Sequence, residues 1–92
     1  MSSPKFRMEI SFHETTGDPV AAYLRIRVGK IANTREISEG VAFADYEADG
    51  SLLGIELLAP CDAEVLERVS ESEPESVRQF LRYGVRKEMI RT

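Results

Sequence analysis

Hydrophobic residues recur at two different periods along this chain, and the change of period divides it. Phe6, Met8, Ile10 and Phe12 alternate with Arg7, Glu9, Ser11 and His13, the pattern of a strand with one buried face. "ETTGDP" follows, where Gly17 permits positive φ and Pro19 has no amide to give a ladder, so the chain should reverse there. The alternation resumes in "VAAYLRIRV", with Ala22, Leu24, Ile26 and Val28 on one side and Tyr23, Arg25 and Arg27 on the other. Gly29-Lys30 suits a tight turn into "IANTREI", a weaker strand fit for an edge. Beyond Gly40, "VAFADY" and "SLLGIELL" are again extended in character and flank Asp49-Gly50. These runs predict an antiparallel β-meander of four to five short strands over about residues 5–59.

Pro60 stops the last strand because it lacks the ladder's amide hydrogen. The period then lengthens. Asp62 is placed to cap a short helix in which Val65, Leu66 and Val69 share a side. "SESEP" punctuates, and Pro74 suits a first helical turn. Val77, Phe80, Leu81, Gly84, Val85 and Glu88 or Met89 follow the spacing of one amphipathic face, predicting a C-terminal helix. Gly84 weakens it by roughly 1 kcal/mol relative to Ala, or ends it. The expected class is α+β: one domain spanning residues 1–92, its sheet covered by a helical C-terminal extension at about 61–91. One apolar sheet face and one helix leave an edge or patch exposed, and a second copy is the expected cover, so a homodimer is anticipated.

The segment "DYEADGSLLGIE" complicates this picture. Asp45, Glu47, Asp49, Gly50 and Glu56 fall at positions one, three, five, six and twelve of a calcium-loop pattern. Such a loop joins two helices, whereas here "ISEGVAFA" precedes it and Pro60 follows closely. The flanks favour a β-hairpin with a three-residue turn, Ala48-Asp49-Gly50, in which Gly50 takes the left-handed conformation. Glu47 then faces Ser51, Phe43 pairs with Ile55 and Val41 with Leu57. A two-residue turn instead sets Ala44 against Ile55 and Ala42 against Leu57. The first is preferred because Phe43 and Val41 would fill the core. Leu53, Ile55 and Leu57 share a face in either register, and Gly54 marks a bulge or a close backbone approach.

Composition narrows the chemistry. With 92 residues, 42% of them hydrophobic, the chain can build one core. Its apolar runs fall far short of the roughly 20 residues that cross a bilayer. Its start, "MSSPKFRMEISFHE", lacks the apolar segment of a secretory signal, so a cytoplasmic protein is expected. Cys61 is the single cysteine and His13 the single histidine. An internal disulfide and a thiolate metal cluster within one chain are thereby excluded, a nucleophile–histidine pair would have to use His13 itself, and a zinc site would need carboxylates for most of its ligands. The net charge of −4 is unevenly spread: the first 35 residues and the last 17 are basic, and the stretch 36–75 has Arg68 as its one basic residue. Such a chain can satisfy its charges internally or against another copy.

The strand "AYLRI", the Gly29-Lys30 turn, "EISEGV", the Asp49-Gly50 turn and "LLGIELL" occur in order. Over about residues 8–60 the chain thereby resembles a bacterial family known as domain of unknown function 2283. The resemblance implies a small β-sheet domain, often encoded beside other small genes, with no established activity and no catalytic residues to carry over. "HETTGDP" departs from the aspartate-rich turn of shorter members, and the segment from Cys61 to Thr92 extends beyond them.

Candidate functional residues are few. Arg78, Arg82 and Arg86 recur every four residues, and with Lys87 and Arg91 could contact nucleic-acid phosphates or an acidic partner. The simpler reading is a solvated face, or one docked on the acidic central stretch. Asp45, Glu47, Asp49 and Glu56 could hold a divalent cation, but as hairpin residues they are dispersed. His13 reads as a surface histidine at a strand end, and Cys61 as a structural thiol. No cofactor, metal or catalytic residue is implied. The function expected is a non-enzymatic protein–protein interaction module, for which the family resemblance implies one component of a bacterial two-gene pair of toxin–antitoxin type; the alternative is a nucleic-acid-binding autoregulator using the arginine-bearing helix.

Overall fold

In the computed structural model, which describes residues 4–91, the alternating segments pair into one antiparallel sheet. Its strands are β1 (Arg7–Phe12), β2 (Pro19–Arg25), β3 (Asn33–Ser38), β4 (Ala42–Tyr46) and β5 (Leu52–Leu57), in the order β1-β2-β5-β4-β3. The α+β class and the antiparallel pairing are as expected, but the neighbour order is not that of a simple meander. Instead of turning tightly at Gly29-Lys30, the chain passes from β2 to the far edge, and β5 fills the place beside β2. The reason lies in side-chain character. All of β5 except Glu56 is buried, whereas β3 is mostly exposed. An apolar strand is stabilised most at the centre and a polar one is tolerated at an edge.

Two cross-strand rows form the inner face: Met8, Leu24, Ile55 and Ala44, then Ile10, Ala22, Leu57 and Ala42. Against them pack α1 (Ala63–Ser70), through Val65 and Leu66, and α2 (Glu75–Tyr83), through Val77 and Leu81. Asp62 stands at the N-cap of α1 in extended conformation without a side-chain capping bond. The single long C-terminal helix anticipated from the periodicity is not formed. Helix α2 ends at Tyr83, and Gly84 donates its amide to the Phe80 carbonyl at 2.8 Å. Val85 and Met89 still reach the core, from an irregular segment and a short 3-10 turn at Lys87–Met89. The chain then closes as β7 (Ile90–Arg91), parallel to β6 (Cys61–Asp62). Phe6, just before β1, stacks on Phe80 of α2 with ring centroids 4.6 Å apart.

The β4–β5 hairpin combines both registers considered from the sequence. Its turn has three residues: Glu47 N–H donates to Ser51 C=O, Gly50 N–H donates to Glu47 C=O, and Gly50 has φ +91°. One step further the register shifts, Tyr46 pairing with Leu52 but Asp45 with Gly54. Beyond that shift Ala44 faces Ile55 and Ala42 faces Leu57, so the two alanines line the core. Phe43 lies half-buried on the opposite face, and Val41 only borders the core. Leu53 likewise leaves the face of Ile55 and Leu57; Leu52 takes its place in the core cluster. A five-residue strand packed tightly on helices selects small residues next to Ile55 and Leu57, which outweighs the larger apolar area of Phe43.

A second irregularity faces this one. The amides of both Ile26 and Arg27 donate to the Leu53 carbonyl, at 2.8 and 3.1 Å. Two successive amides on one acceptor make a bulge, which re-aims a side chain. Arg27, expected on the outer side with Tyr23 and Arg25, therefore enters the interior, while Val28, expected inside, is exposed. The Arg27 guanidinium donates to the Leu52 carbonyl at 2.9 Å and to Glu73 Oε1 at 2.8 Å. Glu73 belongs to the link between α1 and α2, so the pair ties the helical layer to the sheet. Removing one partner of a buried ion pair leaves the other charge uncompensated. Glu73→Ala is expected to lower stability by about 3 kcal/mol in urea denaturation, and Arg27→Met combined with Glu73→Ala to recover part of that loss.

Candidate interaction surface

The helices cover one face of the sheet. On the other, the rows are Glu9, Tyr23, Glu56, Phe43 and Glu36, and Arg7, Arg25, Gly54, Asp45 and Thr34. Tyr23 spans these rows diagonally. Its hydroxyl donates to Asp45 Oδ2 at 2.9 Å, and the Thr34 hydroxyl donates to Asp45 Oδ1 at 2.6 Å. Between them, on β5, is Gly54. A Cβ there would overlap the Tyr23 hydroxyl and ring, so any side chain would lift the ring off the sheet. The close approach signalled by Gly54 is thus made by a tyrosine ring, and the clamp joins β2, β5, β4 and β3. Arg25 lies 5.9 Å from the Tyr23 ring centroid.

Burial, the hydrogen bond to Asp45 and the charge of that carboxylate push the Tyr23 phenol up to about 12. The neutral phenol is therefore the form the fold favours. This contribution is complete below about pH 10, the ordinary tyrosine value, and is lost as pH rises toward 12. Asp45 itself is buried with both oxygens engaged.

The remaining acidic candidates are dispersed. Glu56 is exposed beside Tyr23, and Asp49 belongs to the turn, where the amide and hydroxyl of Ser51 hold its carboxyl below the usual range. Among the described residues, no three histidine, cysteine or acidic side chains converge as a metal site would need. His13 is exposed, and its Nδ1 accepts the amides of Thr15 and Thr16, which folds the β1–β2 turn. Cys61 is fully buried, and burial together with neighbouring Asp62 pushes its thiol up.

The three arginines do not form one helical stripe. Arg78 and Arg82 are on α2, but Arg86 follows the break at Gly84. Arg78 pairs with Glu75 on its own helix, Arg82 approaches Glu67 of α1 at 3.8 Å, and Arg86 meets Glu88 at 3.0 Å. Arg78 and Arg82 also line a cleft of about 250 Å³ between α1 and α2, together with Glu67, Glu71 and Leu81. Among the described residues, no helix is long and apolar enough to cross a membrane. What the sequence pattern missed is the clamp: Tyr23, Thr34 and Asp45 are far apart in the chain, and Gly54 was the one residue that signalled it.

Two measurements check this geometry. Asp45→Asn should lower the Tyr23 pKa, followed by phenolate absorbance, while leaving it above the ordinary value because burial remains. Millimolar calcium should leave the melting temperature unchanged.

No curated protein and no solved structure matches the chain. Residues 21–59, the span from β2 through β5 that contains the whole Tyr23–Thr34–Asp45–Gly54 clamp, match the family described as protein of unknown function (DUF2283), the family the sequence resembles.

Proposed function

We propose that this chain is a non-enzymatic protein–protein interaction module that presents the uncovered sheet face to a protein partner. The observation that carries the reading is the clamp. It fixes an aromatic ring, a neighbouring arginine and a row bearing Glu9, Glu56 and Glu36 in place before any partner arrives. Tyrosine, arginine and phenylalanine anchors are the residue types enriched at interfaces, and rigid ones lose little entropy on binding. On this face Glu56 stands between Tyr23 and Phe43, with Arg25 beside the tyrosine, which gives two aromatic anchors around an exposed central carboxylate. The hydroxyls and carboxylate of the clamp satisfy one another, and a phenol held near 12 is poorly matched to proton transfer at neutral pH. Both features support binding over catalysis.

A partner encoded next to this chain, as one component of a bacterial two-gene pair, is the setting we assign to it. The test is co-expression with the product of a flanking gene, followed by affinity capture and titration. Stoichiometric binding is expected, and Phe43→Asp and Glu56→Lys should each weaken it at least about tenfold, the effect of a central contact, with the melting temperature little changed. Binding unaffected by both substitutions would refute the assignment to this face.

A further inference from the structure

We infer that β1 is the edge at which a second copy of this chain docks, extending the sheet across a two-fold axis at Met8. This edge borders the open face discussed above: Arg7 and Glu9 end its two rows, whereas Phe43 and Glu56 lie further in. A sheet edge offers a row of unpaired amides and carbonyls, and this sheet has two, β1 and β3. A two-fold axis perpendicular to an antiparallel sheet pairs residues that point to the same face, which limits the registers available. At β3, a Thr34-centred register brings no apolar or opposite-charge pair, an Ile37-centred one falls on the bulge between Glu36 and Ser38, and the two between them set Arg35 against Arg35 or Glu36 against Glu36. Like charges directly opposite are unfavourable.

At β1 the same test gives a different answer. Lys5 N–H donates to Ile26 C=O at 2.8 Å and His13 N–H donates to Asp18 C=O at 2.8 Å. Odd-numbered amides of this segment therefore turn toward β2, and those of Phe6, Met8 and Ile10 turn outward. With the axis at Met8, these outward groups meet their counterparts: Met8 pairs with Met8 and Phe6 with Ile10 of the other copy. Both pairs lie on the apolar face, where Phe6 is 41% exposed and Met8 and Ile10 are only partly covered. On the opposite face Arg7 comes to stand against Glu9.

That charge pairing is the discriminating feature. Arg7 and Glu9 have side chains 72% and 59% exposed, and their own contact is a loose 3.8 Å. Arg7 also stands directly opposite Arg25 on β2, a like-charge pair that the Glu9 carboxylate of the second copy would offset from the outer side. Shifting the register by two residues in either direction sets Arg7 on Arg7 or Glu9 on Glu9. Only the register centred on Met8 among these three is complementary in apolar contact, charge and backbone direction together.

Sedimentation of the full chain at micromolar concentration tests this. A dimer is expected, with Arg7→Glu and Glu9→Arg each raising its dissociation constant at least about tenfold and the double charge swap restoring it. Circular dichroism would confirm that each variant is folded. Independently, Met8→Cys should form an inter-chain disulfide on mild oxidation, since directly hydrogen-bonded strand pairs have Cα atoms about 5.5 Å apart and the native Cys61 is buried. A monomeric wild-type chain, a dimer indifferent to both charge reversals, or a double swap that fails to restore it would each overturn the inference. These variants leave Phe43 and Glu56 untouched, so failure here and failure of the open-face reading are separately visible.

Discussion

The carbonyl of Leu53 receives two successive amides, those of Ile26 and Arg27, and much of the structure depends on that shared acceptor. The bulge turns Arg27 out of the alternation of its strand and into the space between sheet and helices. An arginine there costs several kcal/mol in lost hydration unless charge and hydrogen-bonding partners meet it. Glu73 and the Leu52 carbonyl supply such partners. The requirement fixes where the α1–α2 link can lie, and with it how Val65, Leu66, Val77 and Leu81 approach the inner rows of the sheet. One backbone irregularity thus sets the relation between the two layers.

The same strands hold the outer face by different means. Gly54 leaves room on the central strand for the Tyr23 ring, and the ring reaches Asp45 across it, while Thr34 closes the arrangement from the edge strand. A buried carboxylate needs donors, and two hydroxyls from strands on either side provide them. The result is a sheet whose uncovered face is ordered by cross-strand side chains, although among the described residues no second layer lies on it. The four strands of the family match form a continuous block from β2 to β3 in space, with β1 and the helices attached outside it.

The uneven charge along the chain is resolved within the fold. Basic residues of the first and last segments meet acidic residues of the central one: Arg27 with Glu73, Arg82 with Glu67, and Arg91 with Asp62. The first of these pairs is buried and structural. The others are exposed, where ion pairs contribute little to stability and mainly give the surface its pattern. The arginines of the C-terminal segment consequently have local acidic partners, and Arg7 stands next to another arginine.

By itself the sequence determined the elements and the faces that depend on nearest-neighbour chemistry. The alternations from Phe6 to Phe12 and from Ala22 to Ile26, the left-handed Gly50 in a three-residue turn, the break at Pro60 and the helical face of Val77 and Leu81 could all be read directly. Tertiary structure alone decided where β5 inserts, that the hairpin shifts register at Leu53, that Gly84 ends a helix whose apolar spacing continues, and that Arg27 points inward while Tyr23 finds Asp45. The physical reason is that a period of two or of 3.6 residues is a local property of the backbone. A bulge, a strand's place in the sheet and a buried polar pair arise from contacts between segments that are distant in the chain, where packing and the need to satisfy buried polar groups outweigh local preference.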